Sequence, residues 1–407
     1  MKRTPVNGSS LKRNLWLLGS GYFLQGFVTW YAVEKLFYRS DILLSYQQIG
    51  YIGVAATASI LLFEFPSGIL ADRWSRKGTL IIGSLFQMVS TSLFAIGNSF
   101  LVMILGTIFW GFYYASQSGT GEALLYDTLK ESSEEGQFEK YLALVLRTQG
   151  ISLAIGSIIG GLVASKYGFR INYWITLIPM TLSIIMLMSV HEPKQHFLES
   201  NPLQHAKQAL RNAVSKKILV YLSLGMIFLA ILTHLIHGFY QLYFIAVNLP
   251  TELFGVGNAL LCLSFTIGAY LAVALRKANK SNAYFSIILG FILMQIAMLF
   301  VRSNWAMMVI FTSTVLMQTL DTFTQRELHD RIPSSERAAT TSLLSSVGRG
   351  AAIPLSILIG YLTDKYDFFA TIPIYVLFSI LLGAILVFVT LNRHHQEPKL
   401  IINDPLV

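Results

Sequence analysis

The chain has 407 residues, of which 54% are hydrophobic and 13% charged, where soluble domains carry about 25% charged residues. That balance excludes an ordinary soluble domain, and the weak ten-residue alternation of a transmembrane barrel is absent. The net charge of +9 fits basic loops facing anionic lipid better than a nucleic-acid partner. Cys262, the one cysteine, lies in an apolar run, so no disulfide framework applies.

Met1 to Arg13 is polar and basic, and no small-residue cleavage site follows the first apolar run. That run therefore reads as a retained helix. A bilayer crossing needs about 20 apolar residues. The runs predict twelve helices, over 14–36, 46–68, 79–97, 100–125, 139–164, 170–190, 217–239, 252–275, 283–301, 304–328, 338–362 and 369–391. The stretch 191–216 is polar. Its Leu203, Ala206, Ala209, Leu210, Ala213 and Val214 recur at helical spacing among Lys207, Arg211 and Lys216. It predicts an amphipathic helix on the cytoplasmic surface, linking a bundle over 1–190 to one over 217–407. With the N-terminus inside, inner segments hold 22 Lys and Arg and outer loops 6. Both termini are therefore expected in the cytoplasm.

The halves repeat. Glu134 and Arg147 are matched by Glu336 and Arg349, both at an offset of 202. Asp127 matches Asp330, and the run from Ile159 to Phe169 matches that from Ile359 to Phe368. The pattern predicts an all-α membrane protein of two parallel six-helix repeats.

Between the second and third runs lies Gly68-x-Leu70-Ala71-Asp72-Arg73-x-x-Arg76-Lys77. It resembles the loop signature of the major facilitator superfamily, with Ser75 where glycine is usual. In the second half the corresponding Tyr270-Leu271-Ala272-Val273 to Arg276-Lys277 keeps the basic pair and lacks the aspartate. Glu64-x-Pro66-Ser67-Gly68, Gly121-Glu122-Ala123 and Glu336-Arg337-Ala338 are similar to bacterial drug or multidrug exporters of that superfamily. The resemblance implies a transporter with Glu64, Gly68, Asp72, Arg73, Arg76 and Lys77 at a cytoplasmic gate. Asp72 would meet the N-terminus of helix 11, where the dipole favours an anion. A glycine-rich helix 5 is common in the exporters. Here Gly150, Gly156, Gly160 and Gly161 are present, but Ser157 replaces the usual proline.

Ionisable side chains inside a membrane are costly, so each is a candidate site. Glu122 and Arg147 lie at matching depths on adjacent helices and are expected to pair, either as a substrate or proton site or as structure. Asp321 and Arg349 occupy the corresponding place in the second half. A buried carboxylate such as Asp321 suits a proton carrier. Asp127 is expected to pair with basic loop residues. His234 and His237 lie one turn apart without nearby carboxylates and read as a polar surface, with no metal site expected. Glu34 and Lys35 are expected in solvent. Tyr22, Gln25, Trp30, Tyr31, Tyr113, Tyr114 and Gln117 are candidate cavity residues, and aromatic rings with few charges suit amphipathic or cationic organic molecules.

The sequence thus reads as a proton-coupled transporter in the cell membrane, a monomer without cofactor, exporting small amphipathic compounds. Import of a small nutrient is the alternative. A transport-inactive sensor or scaffold is the alternative of another class. No metal-ligand spacing or nucleophile–base pair suggests an enzyme, and no nucleic-acid partner is expected.

Overall fold

The computed structural model describes residues 8–193, 211, 215–275, 280–333 and 336–392. Apart from Arg211, the linker helix expected over 203–214 lies outside them. So do Arg276-Lys277 and the Ser334-Ser335 pair.

The described residues form helices and no strand. They are α1 (Gly8–Gly26), α2 (Tyr46–Arg73), α3 (Arg76–Ile96), α4 (Phe100–Glu131), α5 (Phe138–Tyr167) and α6 (Arg170–Ser189). After the linker come α7 (Lys217–Ala246), α8 (Thr251–Leu275), α9 (Lys280–Ala297), α10 (Ala306–His329), α11 (Arg337–Lys365) and α12 (Ile372–Asn392). Ten of the helices are long and apolar enough to cross a membrane. The remaining two, α1 and α9, are shorter in apolar length: α1 carries Lys12, Arg13 and Asn14 in its second turn, and the apolar part of α9 is Ala283–Ala297.

Serines placed just before apolar runs start several helices. Ser45 caps α2 through a complete capping box with Gln48, and Ser75 and Ser99 cap α3 and α4. Two elements depart from the sequence expectation. The first run does not continue to residue 36. It ends at Gly26, and the chain turns through a short 3-10 segment, Trp30–Val33, into a separate helix, Glu34–Ser40. Thr29 drives the change: its N–H donates to Thr176 Oγ1 (3.2 Å) and its hydroxyl to Asn172 O (2.8 Å). That commits the backbone to α6 rather than to the next helical turn. The fourth run breaks at Ser118-Gly119 and resumes over Thr120–Glu131. Gly119 has φ +72, a region that glycine enters without steric cost.

Helices α1–α6 pack on one another, as do α7–α12. Between these groups the principal contacts are α5 on α8 and α2 on α11. Both are glycine contacts at one end of the molecule. Gly161 lies against Glu252 and Gly255, and Gly50 and Gly360 let α2 and α11 approach backbone to backbone. The apolar cores divide in the same way. One core spans both halves and contains Trp30, Phe37, Phe94 and Tyr173 from the first and Phe239, Tyr243, Phe244 and Phe254 from the second. At the opposite end are two separate cores. Leu18, Leu80, Leu129 and Leu187 build one, and Leu222, Met226, Leu328 and Leu344 the other. The halves are therefore joined at a sealed end and parted at a split end. The signature loop Trp74-Ser75 lies at the split end.

Candidate functional site in the cavity at the broken helix

The break in α4 opens a cavity of about 280 Å³ against α1 and α5. Tyr22, Tyr113, Tyr114, Gln117, Glu122 and Gln149 provide its polar lining, and Leu125, Leu142, Val145 and Leu146 its apolar lining. The interrupted helix exposes Ser118 and Gly119 to the cavity. The site offers three phenols, two amides and one carboxylate beside an apolar wall of aliphatic side chains. It can hold a small ring compound by stacking and hydrogen bonds, and Glu122 can answer one positive charge or exchange one proton.

Four of the expected cavity residues, Tyr22, Tyr113, Tyr114 and Gln117, line this space. The other three pack within the bundle. Gln25 is buried and donates to Ser84 Oγ (3.3 Å). Trp30 is 1% exposed, stacked on Tyr173 and edge-on to Phe94. Tyr31 accepts from Trp110 Nε1 (2.8 Å), and its carbonyl accepts from Gln241. Gln149 and the Ser118-Gly119 break escaped the sequence reading. The small, polar run Gln117-Ser118-Gly119-Thr120-Gly121 was the available signal for the break.

Glu122 and Arg147 form no ion pair within 4 Å among the described residues. Their depths match, but their azimuths do not. On α5 the cavity is faced by Leu142, Val145, Leu146 and Gln149. Arg147 projects elsewhere and is exposed. It shares a face with Ile158, eleven residues on, about three turns, and Ile158 packs on α8. Arg147 thus lies on the face where the halves part. In the second half Asp321 is half-buried, with Gln318 Nε2 donating to it at 3.4 Å, and it forms no ion pair with Arg349. Arg349 Nε is buried without a protein partner. Ser356, two turns along α11, lies 3.4 Å from His234 Nε2. The His237 ring packs tilted against Phe265. Among the described residues no three His, Cys, Asp or Glu are grouped to hold a metal.

The signature loop is tied down within the first half. Arg76 bonds the Asp127 carboxylate, donates to Ala123 O (3.2 Å) and lies 3.8 Å from Asp72. Lys77 Nζ donates to the carbonyls of Met188 and Val190, both at 2.8 Å. Asp72 itself is 68% exposed, as are Arg73 and Trp74 largely. Glu64 is half-buried, and Gly68 has open space where a side chain would stand. Glu34 and Lys35, expected in solvent, are instead 20% and 14% exposed and paired at 2.7 Å. Tyr38 donates to Glu34, and Gln241 of the second half accepts from the Lys35 N–H (2.8 Å). The extra turn after Thr29 folds them into the seal.

A family profile of the Major Facilitator Superfamily matches residues 15–350. The chain belongs to this superfamily. Its sequence relatives include an uncharacterised MFS-type transporter, YxaM, of Bacillus subtilis, 24% identical over 59% of this chain and 61% of that one. The inner membrane transport protein YajR of Escherichia coli is 26% identical over 42% of this chain and 36% of its own. The quinolone resistance protein NorA of Staphylococcus aureus is 24% identical over 39% and 40%. The matched stretches thus span between 36% and 61% of these relatives. The fold is shared over nearly the whole length with solved structures. The nucleoside transporter NupG superposes with a TM-score of 0.73 at 15% identity, covering 96% of this chain and 100% of that one. A D-xylose–proton symporter gives 0.70 at 13%, covering 92% and 97%. This superfamily member is a multi-pass membrane protein with a transporter fold.

Proposed function

We propose that the chain is a secondary transporter working by alternating access, and that it exports small amphipathic organic compounds in exchange for protons. The observation carrying this reading is the cavity at the α4 break, with one carboxylate among phenols and amides, in a molecule sealed at one end and parted at the other. The Lys and Arg distribution supports a cytoplasmic split end, so the cavity would load from there. The segments 1–190 and 217–407 would act as the two rocking units, with 191–216 as tether. The drug-type relatives support export. Import of a small nutrient is the second reading, favoured by the hydrogen-bonding character of the lining.

Glu122 is assigned the substrate and proton site of the first half, and Asp321 the coupling carboxylate of the second. Asp72, exposed here, would close the split end by docking on α11, with Glu64 and Gly68 on the closing face. Arg73 joins them, while Arg76 and Lys77 hold the loop rigid. In proteoliposomes, Glu122→Gln is expected to lose proton-driven transport while retaining substrate–substrate exchange, because the amide mimics the protonated acid. Asp321→Asn is the parallel variant. Proton-driven transport that survives in both variants would remove these carboxylates from coupling. A purified protein that moves neither proton nor any of a panel of amphipathic cations would favour the sensor or scaffold reading.

A further inference from the structure

The contact between α2 and α11 has a feature that the signature loop does not explain. An α-helix begins with backbone N–H groups that lack intrahelical partners. In α2 the capping box answers two donors: Gln48 N–H reaches Ser45 Oγ (3.1 Å), and Ser45 N–H reaches Gln48 Oε1 (2.9 Å). The two donors between them are answered from the other half. Tyr46 N–H donates to Asp364 Oδ1 (2.9 Å) and Gln47 N–H to Asp364 Oδ2 (2.7 Å). Both carboxylate oxygens of one α11 residue therefore cap the start of α2 across the seam between the halves.

Asp364 is the penultimate residue of α11, which ends at Lys365. Asp72 is the penultimate residue of α2, which ends at Arg73. The two helices run antiparallel, so each carries an aspartate at its own C-terminal end, beside the start of its partner. The packing fixes the register. Gly360 lies against Tyr46, and four residues back Ser356 lies against Gly50. Continued along the helices, that register brings Ile69 opposite Arg337 and Asp72 to the N-terminal end of α11. In this structure one aspartate is docked and the other, 68% exposed, is not.

We infer that Asp364 is a gating residue of the transport cycle, the reciprocal of Asp72. Asp364 holds the sealed end by capping α2, and its release accompanies the docking of Asp72 on α11. The cycle then exchanges one cross-half helix cap for another. Each conformation has one carboxylate at a helix N-terminus, where hydrogen bonds and the dipole favour an anion. The inference rests on alternating access for the Asp72 half of the exchange. The Asp364 contact stands on the observed geometry alone.

The test uses the full chain in lipid nanodiscs, with Cys262→Ser as background and paired spin labels read by pulsed electron resonance. One pair, at Leu43 and Trp305, spans the sealed end. The other, at Lys130 and Tyr270, spans the split end. Asp364→Asn is expected to lengthen the first distance and shorten the second, changing the population ratio by roughly fivefold to tenfold, the size of a helix cap. Asp72→Asn is expected to shift the ratio the opposite way, and the double variant to return near the starting ratio. A thermal melt confirms folding, with Asp364→Glu as a milder variant expected to move the ratio less. Two populations in the parent chain that Asp364→Asn leaves unmoved would overturn the latch alone. A single population in the parent and every variant would overturn alternating access with it.

Discussion

Ser75 stands where related loops carry glycine, and its hydroxyl has two partners there. It accepts from Gly78 N–H (2.7 Å), capping α3, and donates to Glu192 Oε2 (2.5 Å) beyond the end of α6. Next to it, Arg76 reaches Asp127, Ala123 O and Asp72 with one planar guanidinium. A lysine has no equivalent fork. Arg76→Ala is expected to destabilise the protein by about 1–3 kcal/mol, the range for losing charge-assisted bonds at a partly buried site. Arg76→Lys should recover less than half of this. Thermal unfolding in detergent measures both, and a lysine variant as stable as the parent would show that the fork is not used. Trp30 makes a different point. Aromatic residues in a membrane protein read equally as belt, cavity or core. Only its stacking on Tyr173 and its contact with Phe94 make it core. Trp30→Ala should cost about 3–5 kcal/mol, whereas Tyr114→Ala, at 45% exposure on the cavity wall, should alter substrate affinity with little change in the melt.

Two elements matter more than their length suggests. The α4 break depends on Gly119 at φ +72. A side chain there is strained by roughly 1 kcal/mol or more, so Gly119→Ala should tend to straighten the helix and close the cavity beside Glu122. The expected result is a modest drop in stability and a much larger drop in substrate binding, read by equilibrium binding to the detergent-solubilised chain. Equal losses in both would mean that the break is only structural. The α5–α8 contact depends on Gly161, where a Cβ would lie 2.6 Å from Glu252 O and 2.8 Å from Gly255 N. Neither backbone atom can yield locally. Gly161→Val should therefore wedge the sealed end apart. A cysteine placed at Asn258, which now donates to Ser157 Oγ (2.6 Å), should then react faster with a membrane-impermeant thiol reagent added from outside.

Across the full chain, one core shared by the halves and two separate cores leave the halves joined at one end and parted at the other. Apolar burial between helices adds little in a bilayer, because lipid tails are equally apolar. The seal therefore relies on close glycine contacts and on a few polar bonds across the halves. Gln241 contributes two of these, to the Lys35 N–H and the Tyr31 carbonyl. Such a seal can open without unfolding either half. A cysteine at Asn304 should be labelled in intact cells by an impermeant reagent and one at Trp74 only after permeabilisation. The reverse pattern would invert the assignment of the split end to the cytoplasm.

The amino-acid sequence dictated the helical membrane architecture, because runs of about 20 apolar residues have few other uses. It also determined the superfamily, because the loop from Gly68 to Lys77 combines glycine, carboxylate and guanidinium at fixed spacing. Asp127 was legible as a partner for that loop for the same local reason. Rotation about a helix axis was not legible. Residue spacing gives depth at 1.5 Å per residue, so Glu122 and Arg147 looked like neighbours, but their azimuths separate them. Only packing sets that rotation. Nor could spacing show that Thr29 would divert its backbone to α6, which carried Glu34 and Lys35 out of solvent and into the seal. Asp364 reads in sequence as an ordinary charge at a helix end. It becomes a cap only when the tertiary structure brings the start of α2, more than three hundred residues away in the chain, within reach of its carboxylate.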